Sequence, residues 1–189
     1  MKVMKRRFAI LLLLAVSGAA QTKIPAGPGK LSQGLDTWIT NTETHLIQVA
    51  EAMPDDRYGF APRNGEFEGV RTFAQQLKHL AANNYAMAAL ITGQTPTAEM
   101  KNETGPEAVQ TKGAILDYLK GSFASLHRAV ATIDEGNLIE PLNTGSAWQD
   151  TRLQLVIDAI AHSFDHYGQL VEYLRMNGVV PPASRPKQP

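Results

Sequence analysis

Two histidines, His162 and His166, stand four residues apart in a stretch rich in helix formers. On an α-helix that spacing sets side chains about 40° apart around the axis and about 6 Å apart along it, so both imidazoles can reach one ion. His79, in an earlier helical stretch, offers a third ring. Three neutral imidazoles leave a divalent ion with a position open to water or substrate, which is the donor set of a catalytic site rather than a closed structural one. Nitrogen donors suit zinc, nickel, iron or copper, whereas magnesium and calcium favour oxygen. Spacing alone leaves a second reading open: partly exposed histidines that cap or hydrogen-bond locally.

Other residues bear on the chemistry. No glutamate follows His162, so the zinc-protease helix motif with its built-in base is absent. His45 and His127 have no partner at ligand spacing and read as boundary histidines. Asn83 and Tyr173 lie one and two turns from the candidate ligands and could orient substrate or the ligands, with ordinary packing as the alternative. The carboxylates Asp165 and Glu172 fall about a quarter turn from the histidine face, poor positions for a general base. Gly168 reads as a place where two helices approach closely. There is no cysteine among the 189 residues, which removes thiolate ligands, disulfides, a cysteine nucleophile and lipid attachment through cysteine. Neither a glycine-rich phosphate loop nor a serine elbow is visible.

These residues need helices to place them, and the sequence supplies four. The first runs from about Leu31 or Asp36 to Met53, with Trp38, Ile39, Leu46, Val49, Ala50 and Met53 inward and Pro54 as its stop. A loop with Tyr58, Phe60, Pro62 and Phe67 is expected to pack down. Thr72 and Gln75 stand at capping-box spacing before a second helix that ends at Gly93, with a stripe Val70, Phe73, Leu77, Leu80, Ala81, Asn84 and Ala88. The third helix spans Thr111 to about Asp134. Thr151 and Gln154 open the fourth, whose expected core stripe is Leu153, Val156, Ile157, Ile160, Phe164, Tyr167, Val171 and Leu174, with the histidines at its edge. Long polar connections separate the helices. The fold class is therefore all-α, one four-helix bundle over 31–182, followed by a tail, 183–189, expected to be disordered.

The first residues differ from the rest. Lys2, Lys5, Arg6 and Arg7 precede the apolar run from Phe8 to Val16 and then Ser17, Gly18, Ala19 and Ala20, the three parts of a secretory signal. The run is too short to cross a bilayer, which takes about 20 apolar residues. Residues 1–20 are thus expected to be cleaved and 21–30 to form a flexible leader, giving an exported, periplasmic or secreted protein. Removing those four cations leaves 14 basic against 18 acidic residues, a net charge of −4. A mildly acidic, patternless surface predicts no nucleic-acid partner and, after signal cleavage, no membrane partner.

Three stretches carry a resemblance. They are Met53-Pro54-Asp55-Asp56-Arg57-Tyr58-Gly59-Phe60-Ala61-Pro62, the segment from Phe73 through His79 to Tyr85, and His162-Ser163-Phe164-Asp165-His166-Tyr167-Gly168-Gln169-Leu170 with its exit Asn177-Gly178-Val179-Val180-Pro181-Pro182. In these the chain resembles the DinB family over the whole domain after the leader. The resemblance implies a four-helix bundle with a three-histidine site for a divalent transition metal such as zinc, nickel or iron, and His79, His162 and His166 match the ligand positions. It also implies a homodimer, as members often are, and a small-molecule substrate where a member is an enzyme. The wider superfamily includes thiol S-transferases and a glutathione-dependent isomerase. Their thiol cofactors are cytosolic, whereas this chain carries an export signal.

Overall fold

The computed structural model describes residues 31–66, 68–102, 104–145 and 150–186. The signal, the leader, Phe67, Trp148 and the last three residues of the tail lie outside them. Four helices dominate: α1 (Leu31–Ala52), α2 (Phe73–Ile91), α3 (Lys112–Val130) and α4 (Arg152–Met176). Each packs against two others in the cyclic order α1, α3, α2, α4. Helices consecutive in sequence, α1 with α2 and α3 with α4, therefore sit on diagonals. Their connections must cross the bundle ends. Two-residue strands, β1 (Pro141–Leu142) and β2 (Asp150–Thr151), form a small antiparallel ribbon just before α4. Among the described residues no helix is long and apolar enough to cross a membrane.

The loop after α1 packs down, as its aromatic content predicts. Tyr58 is buried, its hydroxyl donates to the Ala50 carbonyl at 2.7 Å, and its ring meets Phe73 edge-on at 5.2 Å. The same loop completes the start of α2. Phe73 N–H donates to the Phe60 carbonyl and Ala74 N–H to the Tyr58 carbonyl, both at 2.9 Å. The capping box closes with Gln75 N–H on Thr72 Oγ1 (3.2 Å) and Thr72 N–H on Gln75 Oε1 (2.8 Å). Every early donor of α2 is thus satisfied, and the turn that carries His79 starts from a fixed point. At the far end Gly93 adopts φ +74° and stops the helix. The connection after it returns to α2 at Gly105, where φ is +66° and an added Cβ would lie 2.8 Å from Lys78 Cβ.

The fourth helix begins differently from expectation. Thr151 Oγ1 accepts from Gln154 N–H at 3.3 Å, but it donates to the Gln154 amide oxygen at 3.0 Å, so the reciprocal backbone bond of a capping box is replaced by a side-chain one. Thr151 is at the same time paired with Pro141 in the ribbon. Arg152 ties this end of α4 to the bundle, donating to the carbonyls of Ile91 and Asn137, each at 3.1 Å.

Several core assignments need correction. Trp38 and Ile157, both read as inward, are 55% exposed, and Val70 precedes α2 and is exposed. The buried face of α4 is Leu155, Val156, Ala159, Ser163, His166, Leu170, Tyr173 and Leu174, rotated from the apolar stripe. The reason is that α4 lies between two neighbours. Its Phe164 and Tyr167 lean towards α1, with ring centroids 6.4 and 5.1 Å from His45, and are only half-buried. The fully buried arc instead includes the small Ala159 and Ser163 and the polar His166, which hydrophobic periodicity does not count. Gly168 has open space on its side-chain side, since a Cβ placed there would meet nothing within 4 Å; the close approach is at Gly121 of α3, where a methyl would meet the Tyr85 hydroxyl at 2.5 Å. The turn Pro182–Ser184 forms a 3-10 helix that touches α1.

Candidate metal centre

α2 and α4 are neighbours in the ring, and their contact brings His79 beside His162 and His166. The His79 and His162 Nε2 atoms are 3.1 Å apart, and those of His162 and His166 are 2.9 Å apart. His166 is buried, and the other two are half-buried. His166 therefore belongs to the interior rather than to the edge of the helix.

The donor set fits a bound cation. Both short contacts use His162 Nε2, and one N–H there can serve only one of them, whereas a cation accepts a lone pair from every ring. All three ring nitrogens lie within 4.8 Å of one another, close enough that His79, His162 and His166 would share one divalent ion. Burial, together with neighbouring His162, His79 and Arg71, pushes the His166 pKa down to about 3. Burial and His79 lower that of His162 as well. Both imidazoles are therefore held neutral, the form that ligates.

His166 has a further partner that the sequence did not reveal. Its Nδ1 is hydrogen-bonded to Oε1 of Gln76, a buried α2 residue three positions before His79. The signal was present: Gln76 is a polar residue inside the stripe Phe73, Leu77, Leu80. Of the two carboxylates set aside as bases, neither reaches an imidazole; Asp165 accepts from Gln169 Nε2 at 2.8 Å and Glu172 pairs with Arg175 at 2.6 Å. Tyr173 is buried, with its hydroxyl donating to the Arg71 carbonyl at 3.1 Å. His45 and His127 both lie outside the cluster, and His127 sits between Asp36 (2.5 Å) and Glu43 (3.1 Å).

A cavity of about 480 Å³ reaches His79 from the side of the connection after α2. Asn83, one turn beyond His79, lines it, and the Asn83 Oδ1 is buried without a hydrogen-bond partner. Ala82, Ala86, Leu90 and Met100 give the wall an apolar part, and Lys101 supplies a positive charge. The arrangement can seat a small molecule with one end at His79.

No curated protein matches the chain. Solved structures do. A DinB-like protein from Bacillus cereus superposes with a TM-score of 0.64 at 14% identity, covering 81% of this chain and 96% of that one. A conserved protein from Enterococcus faecalis gives 0.62 at 16%, covering 78% and 97%, and a DinB-like protein from Bacillus subtilis gives 0.60 at 16%, covering 82% and 96%. At such identities the likeness concerns the fold. The family follows from the sequence itself: the model of the DinB superfamily matches residues 39–170, a span that runs from α1 through all three histidines to Leu170, and the chain belongs to that superfamily.

Proposed function

We propose that this is an exported, divalent-metal-dependent enzyme, a hydrolase or transferase acting on a small molecule. The observation that carries the reading is the convergence of the His79, His162 and His166 nitrogens, with His79 also lining a ligand-sized cavity. A divalent ion held there, zinc, nickel or iron, supplies Lewis acidity to a carbonyl group, a water molecule or a thiol. The chain's own residues do the rest. The three imidazoles would hold the ion, the Asn83 side chain on the cavity wall would orient a polar group of the substrate, and the apolar wall would exclude water from the substrate body. Export favours the hydrolase over a transferase that depends on a cytosolic thiol. The test is turnover of esters and of thiol–electrophile pairs by metal-loaded protein, with His162→Ala beside it. Equal rates from the two proteins would remove the enzyme reading.

One observation favours a second reading, a non-catalytic metal-binding module. Asp165 and Glu172 are engaged with Gln169 and Arg175, so neither is placed as a base at the histidines. Stoichiometric metal in untagged protein with no turnover in the screen would support the module. Export itself is tested by the mass of the protein recovered outside the cytoplasm, expected to begin at Gln21. Homodimerisation belongs to the proposal too, and sedimentation of the mature protein as a monomer would remove it.

A further inference from the structure

An amide side chain can turn end for end, exchanging its donor and acceptor, and the Gln76 amide touches a candidate ligand. As placed, its oxygen accepts from Nδ1–H of His166, which leaves the lone pair on Nε2, facing His162. Turned over, it would donate to Nδ1 and drive the proton onto Nε2, where it would block ligation. Which way Gln76 lies therefore decides whether His166 can bind a metal through the atom that faces the cluster.

Two independent neighbours decide it. Gln76 Nε2 lies 2.8 Å from Gln169 Oε1 and 3.4 Å from the Tyr173 hydroxyl oxygen. Gln169 could itself turn over, but its Nε2 is 2.8 Å from Asp165 Oδ2, and a carboxylate only accepts. Tyr173 could point its proton at Gln76, but its oxygen is 3.1 Å from the Arg71 carbonyl, which also only accepts. Each branch ends on a group with no proton to give. Both branches therefore present an acceptor to Gln76 and force its NH2 towards them and its oxygen towards His166.

We propose that Gln76 is a positioning residue that holds His166 in the Nδ1–H tautomer, and that the Gln169–Asp165 and Tyr173–Arg71 branches lock Gln76 in that orientation. The consequence for metal affinity rests on the three-histidine reading; the tautomer itself is a property of the metal-free chain. The branches differ in strength. Gln169 and Asp165 are exposed, where water competes, whereas Tyr173 and Gln76 are buried.

The experiment uses metal-free, ¹⁵N-histidine-labelled mature protein at pH 8, with ring nitrogen shifts to read the tautomer and competition with a chelator to read zinc affinity. Wild type is expected to show His166 protonated on Nδ1. Gln76→Leu should lose that preference and bind zinc about 10–100-fold more weakly, the usual effect of removing a hydrogen-bond partner behind a ligand. Gln169→Leu and Tyr173→Phe alone leave one lock in place and should each cost about threefold or less; together they should approach the loss in Gln76→Leu. Adding Gln76→Glu to that double variant should restore the Nδ1–H tautomer, because a carboxylate can only accept. A purely structural role would not give that rescue. The Gln169→Leu/Tyr173→Phe double variant, which leaves Gln76 itself in place, keeps the series readable if Gln76→Leu does not fold. An Nε2–H tautomer in wild type, or an unchanged tautomer and affinity in Gln76→Leu and in the double variant, would overturn the proposal. A wild-type protein with Nδ1–H His166 that binds no zinc, nickel or iron would uphold the lock and remove the metal centre instead.

Discussion

The metal centre should be visible in stability before any substrate is found. Its ligands come from α2 and α4, with His79 and His162 separated by 83 residues, so only the folded chain can present all three. An ion that binds the folded state and not the unfolded one adds RT ln(1 + [L]/Kd), about 2.7 kcal/mol at free zinc of about 100 times Kd. For a chain of this size each kcal/mol raises Tm by about 2–4 °C, so the shift should be about 5–11 °C. His79→Ala removes the only ligand on α2. Structural zinc sites with four ligands bind with about 10–16 kcal/mol, or about 3 kcal/mol per ligand, so this loss should weaken affinity on the order of 100-fold. At the same zinc concentration the remaining stabilisation is then about 0.4 kcal/mol, a shift of about 1–2 °C.

Differential scanning calorimetry of chelator-treated protein without a polyhistidine tag measures both numbers. His45→Ala is the control, because that ring lies against Phe164 and Tyr167 and outside the cluster. Its starting Tm should fall while its zinc shift stays whole. Equal shifts in wild type and His79→Ala would show that zinc binds elsewhere, and no shift with zinc, nickel or iron(II) would refute the convergence argument altogether.

Three further outcomes follow from the bundle. Burial by itself lowers the pKa of His127, but hydrogen bonds to Asp36 and Glu43 and their charges outweigh it and raise it above 6.5. A raised folded-state pKa means stability that is fully present below pH 6.5 and lost as pH rises through the folded value. The Tm difference between wild type and His127→Gln should therefore be about 2–4 °C near pH 6, after discounting for the half-exposed Asp36, and should shrink by pH 9; a constant difference would show that the clamp is not ionic. Gly168→Ala should stabilise by about 0.5–1 kcal/mol, since the position is mid-helix with open space, while Gly121→Ala should gain less or lose because of the Tyr85 hydroxyl; urea midpoints of the two variants test the order. Thr72→Ala should cost about 1 kcal/mol in the same assay by opening the capping box of the helix that carries His79.

What could be read from the chain divides by the range of the interaction. Pro54, the Thr72–Gln75 pair, Gly93 and Thr111 act on backbone groups within four residues, and the helices end where those residues say. The His162 and His166 spacing is local in the same sense, since one helical turn brings their rings together. Asn83 was also in reach from one turn of spacing, and it does line the cavity. The rotation of α4 was not local. It depends on α4 being wedged between α1 and α2, and a scale that scores Ala159 and Ser163 as weak and His166 as polar cannot see that all three are buried.

The same distinction explains why Gln76 escaped notice and why it need not have. A buried amide must find partners for both ends, so a glutamine inside the stripe Phe73, Leu77, Leu80 and one turn before a candidate ligand already declares a polar contact in the core. Its partners lie 90, 93 and 97 residues away, on a helix whose facing direction the apolar pattern misjudged. Tyr173 was in reach, two turns from His166 on the ligand face, but placing Gln169 on the arc that meets α2 would have required the correct rotation of α4. That rotation is demanded by the histidines: if His162 and His166 are to meet His79, the arc holding Ala159 and Tyr173 must turn towards α2. The ligand geometry thus carried the helix orientation within it, as a constraint stronger than the hydrophobic stripe.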